Sequence, residues 1–246
     1  MKYDGLTPGD LAALLRAPGC LALESVTSTM DIIHELAREG APAGTVVLAD
    51  EQVAGRGRQG RSWHSPRGAG IWLGYLMRPE RSTESGVLAL RVGLAVVESL
   101  ATQGITAQIK WPNDVLVEDR KAAGVLCEAR WAADRLTWVA VGVGINVQGP
   151  LPREIATTAI ALSDVLPGAS RLKVLEALVP RLHVLAQDPV LSDAEREAYQ
   201  RVDWLAGRRL NEPVRGIATG LDSQGALLVD TGKGLQRILG GGVVCS

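Results

Sequence analysis

The sequence contains no phenylalanine. Its aromatic content rests on six tryptophans and three tyrosines, so the place of each indole matters. Cysteines are few, at positions 20, 127 and 245. An odd, widely spaced set supplies neither a disulfide framework nor zinc-ligand spacing, and a reducing cytoplasm is the expected compartment. The three histidines, at 34, 64 and 183, build no legible Ser/His/Asp or Cys/His set. A basic-then-apolar leader is missing, as is any run of about 18 apolar residues, so neither secretion by that route nor membrane spanning is expected. An excess of one charge is missing too: 26 Lys and Arg stand against 27 Asp and Glu. That balance argues against broad, non-specific attachment to nucleic acid or membrane surfaces, a local basic patch apart.

What is present is a globular composition, 46% hydrophobic and 22% charged over 246 residues, in the range of one or two domains. Such a chain buries roughly 70–75% of its extended surface and needs no disulfides for stability. Thr7 reads as a helix N-cap, with Pro8 at the first helical position and Leu11, Leu14 and Leu15 on an apolar face. Residues 25–29 precede a second helix carrying Ile32, Ile33 and Leu36, stopped by Gly40. Strands are expected at 45–49 and 71–77, with a Gly/Arg loop at 55–61 between them. Leu90, Leu94, Val97 and Leu100 recur at helical spacing over 86–100. Antiparallel strands are then expected at 106–110, 115–117, 121–129 and 136–147, with turns at 111–114 and 118–120. A helix at 172–185 should be kinked or broken by Pro180, and a last helix covers 194–202. Past Trp204 helical periodicity ends. Short alternating runs at 214–218, 226–229 and 236–239 suit a small barrel-like module of 42 residues on a larger α+β domain. Helices and strands do not alternate strictly, which favours a mixed or antiparallel sheet over a doubly wound parallel one.

Four constellations could carry chemistry. Gly55-Arg56-Gly57-Arg58-Gln59-Gly60-Arg61 interleaves three guanidinium groups with three glycines. Glycine permits close backbone approach and anion-cradling turns, and arginine grips carboxylate or phosphate oxygens two at a time. The bland alternative is a solvated loop or an RNA-binding arginine segment. A Walker A reading fails for want of the Gly-Lys-Ser/Thr ending. Lys110-Trp111-Pro112-Asn113-Asp114 ends a strand in a rigid turn with a cation, an amide and a carboxylate, and Lys121 follows seven residues on. A hairpin here would bring Lys121 near the Asp114 end; the alternative is an ordinary surface turn. Gly142-Val143-Gly144-Ile145-Asn146 puts two glycines in a strand. Taken alone, these read as a kink in the core. Ser28-Thr29 reads as a helix cap that could also offer hydroxyls to a polar ligand. No protein nucleophile stands out, so the available chemistry is cationic charge stabilisation.

These blocks, in this order, with Lys121-Ala122-Ala123-Gly124-Val125-Leu126-Cys127-Glu128 between the second and third, resemble the biotin protein ligases. The resemblance runs from about Ser25 to Leu162 and more weakly through the C-terminal module. It implies a class II synthetase-like α+β catalytic domain over residues 1–204, with a mixed central sheet flanked by helices. An SH3-like β-barrel domain is implied over 205–246. It implies activation of biotin by ATP, with Mg2+, to biotinyl-5′-AMP. Transfer to a lysine of a biotin carboxyl carrier domain follows. By the same resemblance, Ser28, Thr29, Gln52, Gly55 and Gly124 belong to the biotin site together with Arg56, Arg58 and Lys121. Arg61, Trp63, Lys110, Asn113, Asp114 and Asn146 join Arg56, Arg58 and Lys121 around the adenylate, and Arg58 and Lys121 are the expected catalytic pair. The glycine-rich loop is expected to be mobile without ligand and ordered with it. Met30 stands where many members have asparagine. Only 27 residues precede Ser28, so no winged helix and no operator binding are expected. Relatives often pair through the catalytic sheet, which leaves a homodimer open. A lipoate or octanoate ligase or transferase shares the architecture and is the alternative. A non-enzymatic RNA-binding module fits poorly with the net charge of −1.

Overall fold

Thr7 opens the first helix: its hydroxyl accepts from the Asp10 amide at 3.2 Å, and the Asp10 carboxylate accepts from the Thr7 amide at 3.0 Å. This reciprocal cap starts α1 (Pro8–Leu15), which buries Leu11 and Leu15. The structure, a computed structural model, describes residues 1–80 and 85–245. After α1 comes a strand the sequence reading did not anticipate, β1 (Cys20–Val26). Only Ala22 of it is buried, and Glu24 and Ser25 are exposed, so it lacks the alternation that marks a half-buried strand. It forms by pairing in parallel with β2 (Val46–Gln52) across the intervening α2 (Thr29–Arg38).

β3 (Gly70–Met77) is buried along its whole length. α3 (Ser85–Ala101) follows, and then β4 (Gln108–Lys110), β5 (Asp114–Val117), β6 (Arg120–Ala132) and β7 (Arg135–Asn146). The seven strands lie in the order β1-β2-β3-β7-β6-β5-β4. Only the β1–β2 pair is parallel, so the sheet is mixed, as expected. Glu118 and Asp119 both take left-handed backbone angles in the two-residue turn between β5 and β6, the conformation that suits a tight hairpin. Side-chain alternation divides the core. Val46 and Leu48 of β2 join the main core with α3, whereas Val47 packs with Met30, Ile33 and Ala37 of α2 on the opposite face.

Pro180 does not break its helix. α4 (Arg171–His183) runs through it. The proline falls in the last turn, where one missing amide costs a single ladder bond. Arg181 caps the neighbouring Ala177 carbonyl at 2.6 Å. Val174, Leu175, Leu178, Val179 and Leu182 stay buried on both sides of the proline. α5 (Asp193–Val202) follows, capped by Ser192 and Glu195. Arg91, buried in α3, holds Glu195 and the carbonyls of Asp188 and Val190.

The C-terminal strands are β8 (Arg209–Glu212), β9 (Gly216–Leu221), β10 (Leu227–Asp230), β11 (Leu235–Ile238) and β12 (Val244–Cys245). They form an antiparallel sheet in the order β11-β10-β9-β8-β12. β8 and β12 escaped the sequence reading because one has a single buried residue and the other only two residues in all. The Trp111 indole donates to the Gly225 carbonyl at 3.0 Å, joining this sheet to the turn after β4. No helix among the described residues is long and apolar enough to cross a membrane.

Candidate active site

Glycines mark the floor of the site. In the β3–β7–β6 ladder Gly74 lies opposite Gly142, Trp72 opposite Gly144, and Gly144 opposite Gly124. Residues two apart on a strand share a face, so these glycines hollow one side of the sheet. A methyl group at Gly74 would meet Ile33, and one at Gly142 would meet the Met30 sulfur. At Gly124 and Gly144 it would meet the Trp63 indole. The glycines thus let α2 and the loop bearing Trp63 settle onto the sheet, a cause that their strand context alone could not reveal.

The Gly/Arg loop is a closed hairpin. Its legs are tied by Gly57 N to Arg61 O at 2.7 Å and Trp63 N to Gly55 O at 2.8 Å. Its tip is a tight turn closed by Arg61 N to Arg58 O at 3.2 Å, with Gln59 and Gly60 both at positive φ. Arg56, Arg58, Arg61 and Trp63 all line one cleft, together with Lys110, Asn113, Asp114, Lys121 and Gly124. Ser28, Thr29 and Gln52 line its other end. Gly55 and Asn146 stand behind the wall. Gly55 is buried under the loop, where a methyl group would strike the Trp63 carbonyl oxygen. Asn146 is buried and donates to the Lys121 carbonyl at 3.3 Å.

Ser28 caps α2, accepting from the Met30 amide at 3.3 Å. Thr29 donates both its amide and its hydroxyl to the Gln52 side-chain oxygen, at 2.8 and 3.0 Å. The Gln52 amide donates to Ser65 at 2.9 Å. This end is therefore a pre-ordered polar wall above apolar Met30 and Leu126. The other end is cationic: Arg58, Arg61, Lys110 and Lys121 stand against the single carboxylate of Asp114, while Arg56 is paired with Asp31. Lys121 Nζ lies 2.6 Å from Asp114 and 5.0 Å from the centre of the Trp63 ring. Arg58 donates to the Asn113 side-chain oxygen at 3.2 Å, and Asn113 is fixed by its amide on the Val125 carbonyl at 2.8 Å. Such a surplus of preset cations suits two anionic reactants that would otherwise repel. Among the described residues the Trp63 ring nitrogen is buried without a hydrogen-bond partner.

Sequence reasoning passed over a second cluster behind the loop. Arg56 pairs with Asp31 of α2 at 2.5 Å and lies 3.9 Å from Glu128 of β6. Glu128 also accepts from His34 Nε2 at 2.7 Å, and the Trp138 indole donates to His34 Nδ1 at 3.0 Å. The indole can only donate, so Nδ1 is the bare nitrogen and Nε2 carries the proton. The His34 bond, helped by Arg56, holds the Glu128 carboxyl below its ordinary value against the opposing effect of burial. The cluster joins four segments, α2, the Gly/Arg loop, β6 and β7, so no local motif announces it. Nearby, burial pushes the Cys127 thiol up to about 12, which leaves it protonated at neutral pH and no nucleophile.

Residues 22–146 match the biotin/lipoate A/B protein ligase family, and residues 206–245 match the biotin protein ligase C terminal domain. The bifunctional ligase/repressor BirA of Bacillus spizizenii is 36% identical to this chain over 230 residues, covering 87% of the chain and 70% of that protein. The chain belongs to the biotin/lipoate A/B protein ligase family. Another relative, the biotin–[acetyl-CoA-carboxylase] ligase of Paracoccus denitrificans, is 34% identical and covers 81% of the chain and 89% of that protein. Among solved structures, the biotin protein ligase from Aquifex aeolicus in complex with biotin and ATP superposes with a TM-score of 0.78 at 29% identity. The match covers 93% of this chain and 99% of that one. The α+β architecture with a mixed sheet and an antiparallel C-terminal sheet is thus that of this ligase family.

Proposed function

We propose that this chain is a biotin protein ligase. It activates biotin with ATP to biotinyl-5′-AMP and joins biotin to a lysine of a biotin carboxyl carrier domain. The observation that carries the reading is the two-ended cleft: a polar wall of Ser28, Thr29 and Gln52 over an apolar floor, facing a cationic end. The first end suits a ureido ring on a short aliphatic chain, and the second suits a carboxylate beside a triphosphate.

In the first step a biotin carboxylate oxygen attacks the α-phosphorus of ATP and pyrophosphate leaves. Arg58 and Lys121, anchored on the neighbouring residues Asn113 and Asp114, meet the negative charge that builds on the phosphoryl oxygens. Arg56, Arg61 and Lys110 neutralise the departing phosphates, and Trp63 closes the loop over the adenylate. In the second step the acceptor amine attacks the acyl carbonyl of the mixed anhydride and AMP leaves. A lid that excludes water keeps the anhydride from hydrolysis in between. Mg2+ would come with the nucleotide as part of the substrate and would supply charge neutralisation there. The one carboxylate on the cleft wall is committed to Lys121, and no metal-binding cluster exists among the described residues. Residues 1–204 form the catalytic domain in this reading and residues 205–246 an SH3-like accessory domain.

ATP–pyrophosphate exchange with biotin, lipoate or octanoate added in turn tests the reading. Exchange that requires biotin and Mg2+ is expected. Arg58→Ala and Lys121→Ala should each lower it by about 10²–10³, the usual loss for one well-placed charge donor. Exchange with lipoate or octanoate alone would move the chain to the sister activity. A folded sample with no exchange would refute adenylation.

A further inference from the structure

Two lysines flank the cationic end of the cleft, and they are held differently. Lys121 has a carboxylate partner, Asp114, at 2.6 Å. Among the described residues the Lys110 ammonium has no hydrogen-bond or ion-pair partner, although its backbone pairs with Asp114 in the β4–β5 ladder. Its ammonium lies 5.0 Å from the centre of the Trp204 indole. Trp204 lies outside the cleft wall and outside all four sequence constellations. The chain after α5 brings it there. Asp203 bridges Ile109 of β4, and the Trp204 amide donates to the Ile109 carbonyl at 2.9 Å, so its side chain stands beside the next residue of β4, Lys110.

The ring is pinned. Its nitrogen donates to Asp119, in the β5–β6 turn, at 2.6 Å. The Arg208 guanidinium lies 3.9 Å from the same ring centre and donates to the Trp204 carbonyl at 2.7 Å. Arg208 carries its own counter-charge, since Asp119 lies 3.4 Å from it.

We propose that Trp204 is a positioning residue: its indole face holds the Lys110 ammonium at the rim of the cleft so that the cation meets the phosphates of the nucleotide. The argument is one of partner chemistry. A lysine stem is long and flexible, and an unrestrained ammonium spends little time in one place. A carboxylate would fix it but would offset its charge and occupy its protons. An aromatic face attracts the cation through its quadrupole, carries no net charge, and leaves N–H donors free for an incoming anion. Because Asp119 and Arg208 fix the ring, the start of the C-terminal segment takes part in placing a cleft cation. The inference rests on the adenylation reading above.

The test uses the purified full chain in ATP–pyrophosphate exchange, with KM for ATP and for biotin measured separately. Trp204→Leu should raise KM for ATP by about threefold to tenfold and leave KM for biotin and the melting temperature near wild type. Trp204→Phe restores a ring face and should recover most of the loss. Lys110→Met should raise KM for ATP in the same way, and Trp204→Leu should add nothing in the Lys110→Met background. Should the leucine variant lose a cooperative melt, a ring-fluorinated tryptophan placed at 204 keeps the size and weakens the quadrupole. Its KM for ATP must still rise. A wild-type KM for ATP in the leucine or fluorinated variant, equal rises in both KM values, or additivity with Lys110→Met would overturn the inference while adenylation stands. A wild-type chain without exchange would overturn adenylation and this inference together.

Discussion

Replacing Gly144 by alanine probes how tightly the loop seats on the sheet. The added methyl would lie 2.5 Å from both Cε2 and Nε1 of Trp63 and 2.9 Å from Cζ2. The indole is rigid and its backbone is paired to Gly55, so the ring cannot yield by rotating one terminal bond. It must lift from the floor with the loop. Overpacking of this kind costs about 1–3 kcal/mol, which corresponds to a roughly fivefold to 150-fold lower population of the seated loop. The cost falls on the loop and not on the fold, so the melting temperature should change little while kcat/KM for biotin in the exchange assay drops within that range. Gly142→Ala supplies the contrast. Its methyl would lie 2.8 Å from the Met30 sulfur, near the end of a flexible side chain that can swing aside, so its effect should be much smaller. A double-mutant cycle decides the cause: in a Trp63→Ala background Gly144→Ala should cost almost nothing. Wild-type kcat/KM in Gly144→Ala, or an undiminished loss without the indole, would refute the reasoning.

Further expectations concern the groups around the site. The Glu128 carboxyl lies below its ordinary value of 4.5 in the folded chain, so its stabilising effect is present above 4.5 and is lost as pH falls through the lower folded value. Acid melts should show this loss in wild type and not in Glu128→Gln, with Asp31, His34, Arg56 and Arg130 as the neighbouring ionisable groups to control; identical acid limbs would contradict it. Arg171, on α4, pairs with Asp50 at 2.7 Å and with Asp4, and its side chain is only 10% exposed. Arg171→Met should destabilise the fold by about 3 kcal/mol, as loss of one partner from a buried pair does, with both KM values unchanged in a denaturant titration and exchange assay. Asp114→Asn releases Lys121 and should slow transfer from preformed adenylate to a carrier domain. Normal transfer would remove Asp114 from any part in deprotonating the acceptor amine, whose free pKa is ~10.4.

Much of the candidate site could be read in order along the chain because the residues that line the cleft come in short local runs. Arg56, Arg58 and Arg61 share one hairpin loop, and Lys110, Asn113 and Asp114 share one turn; spacing alone keeps each set together. The bland reading of Gly142 and Gly144 as a kink in the core shows the boundary of that logic. Their purpose depends on Met30 and Trp63, which reach them from separate elements. Strand β1 escaped for a related reason, since its pairing partner lies beyond a helix and its own residues show no alternation.

Composition and periodicity by themselves determined the α+β class, the helix starts at Thr7 and Ser28 and the cationic loop, because caps, apolar spacing and glycine-arginine runs act over a few residues. Tertiary structure alone decided that Arg56 is anchored by Asp31 close to Glu128, that His34 is held in one tautomer, and that Lys110 rests on Trp204. Those contacts join residues up to 104 positions apart. Such contacts exist only once the sheet has set its strand order and register, and no local pattern encodes that order.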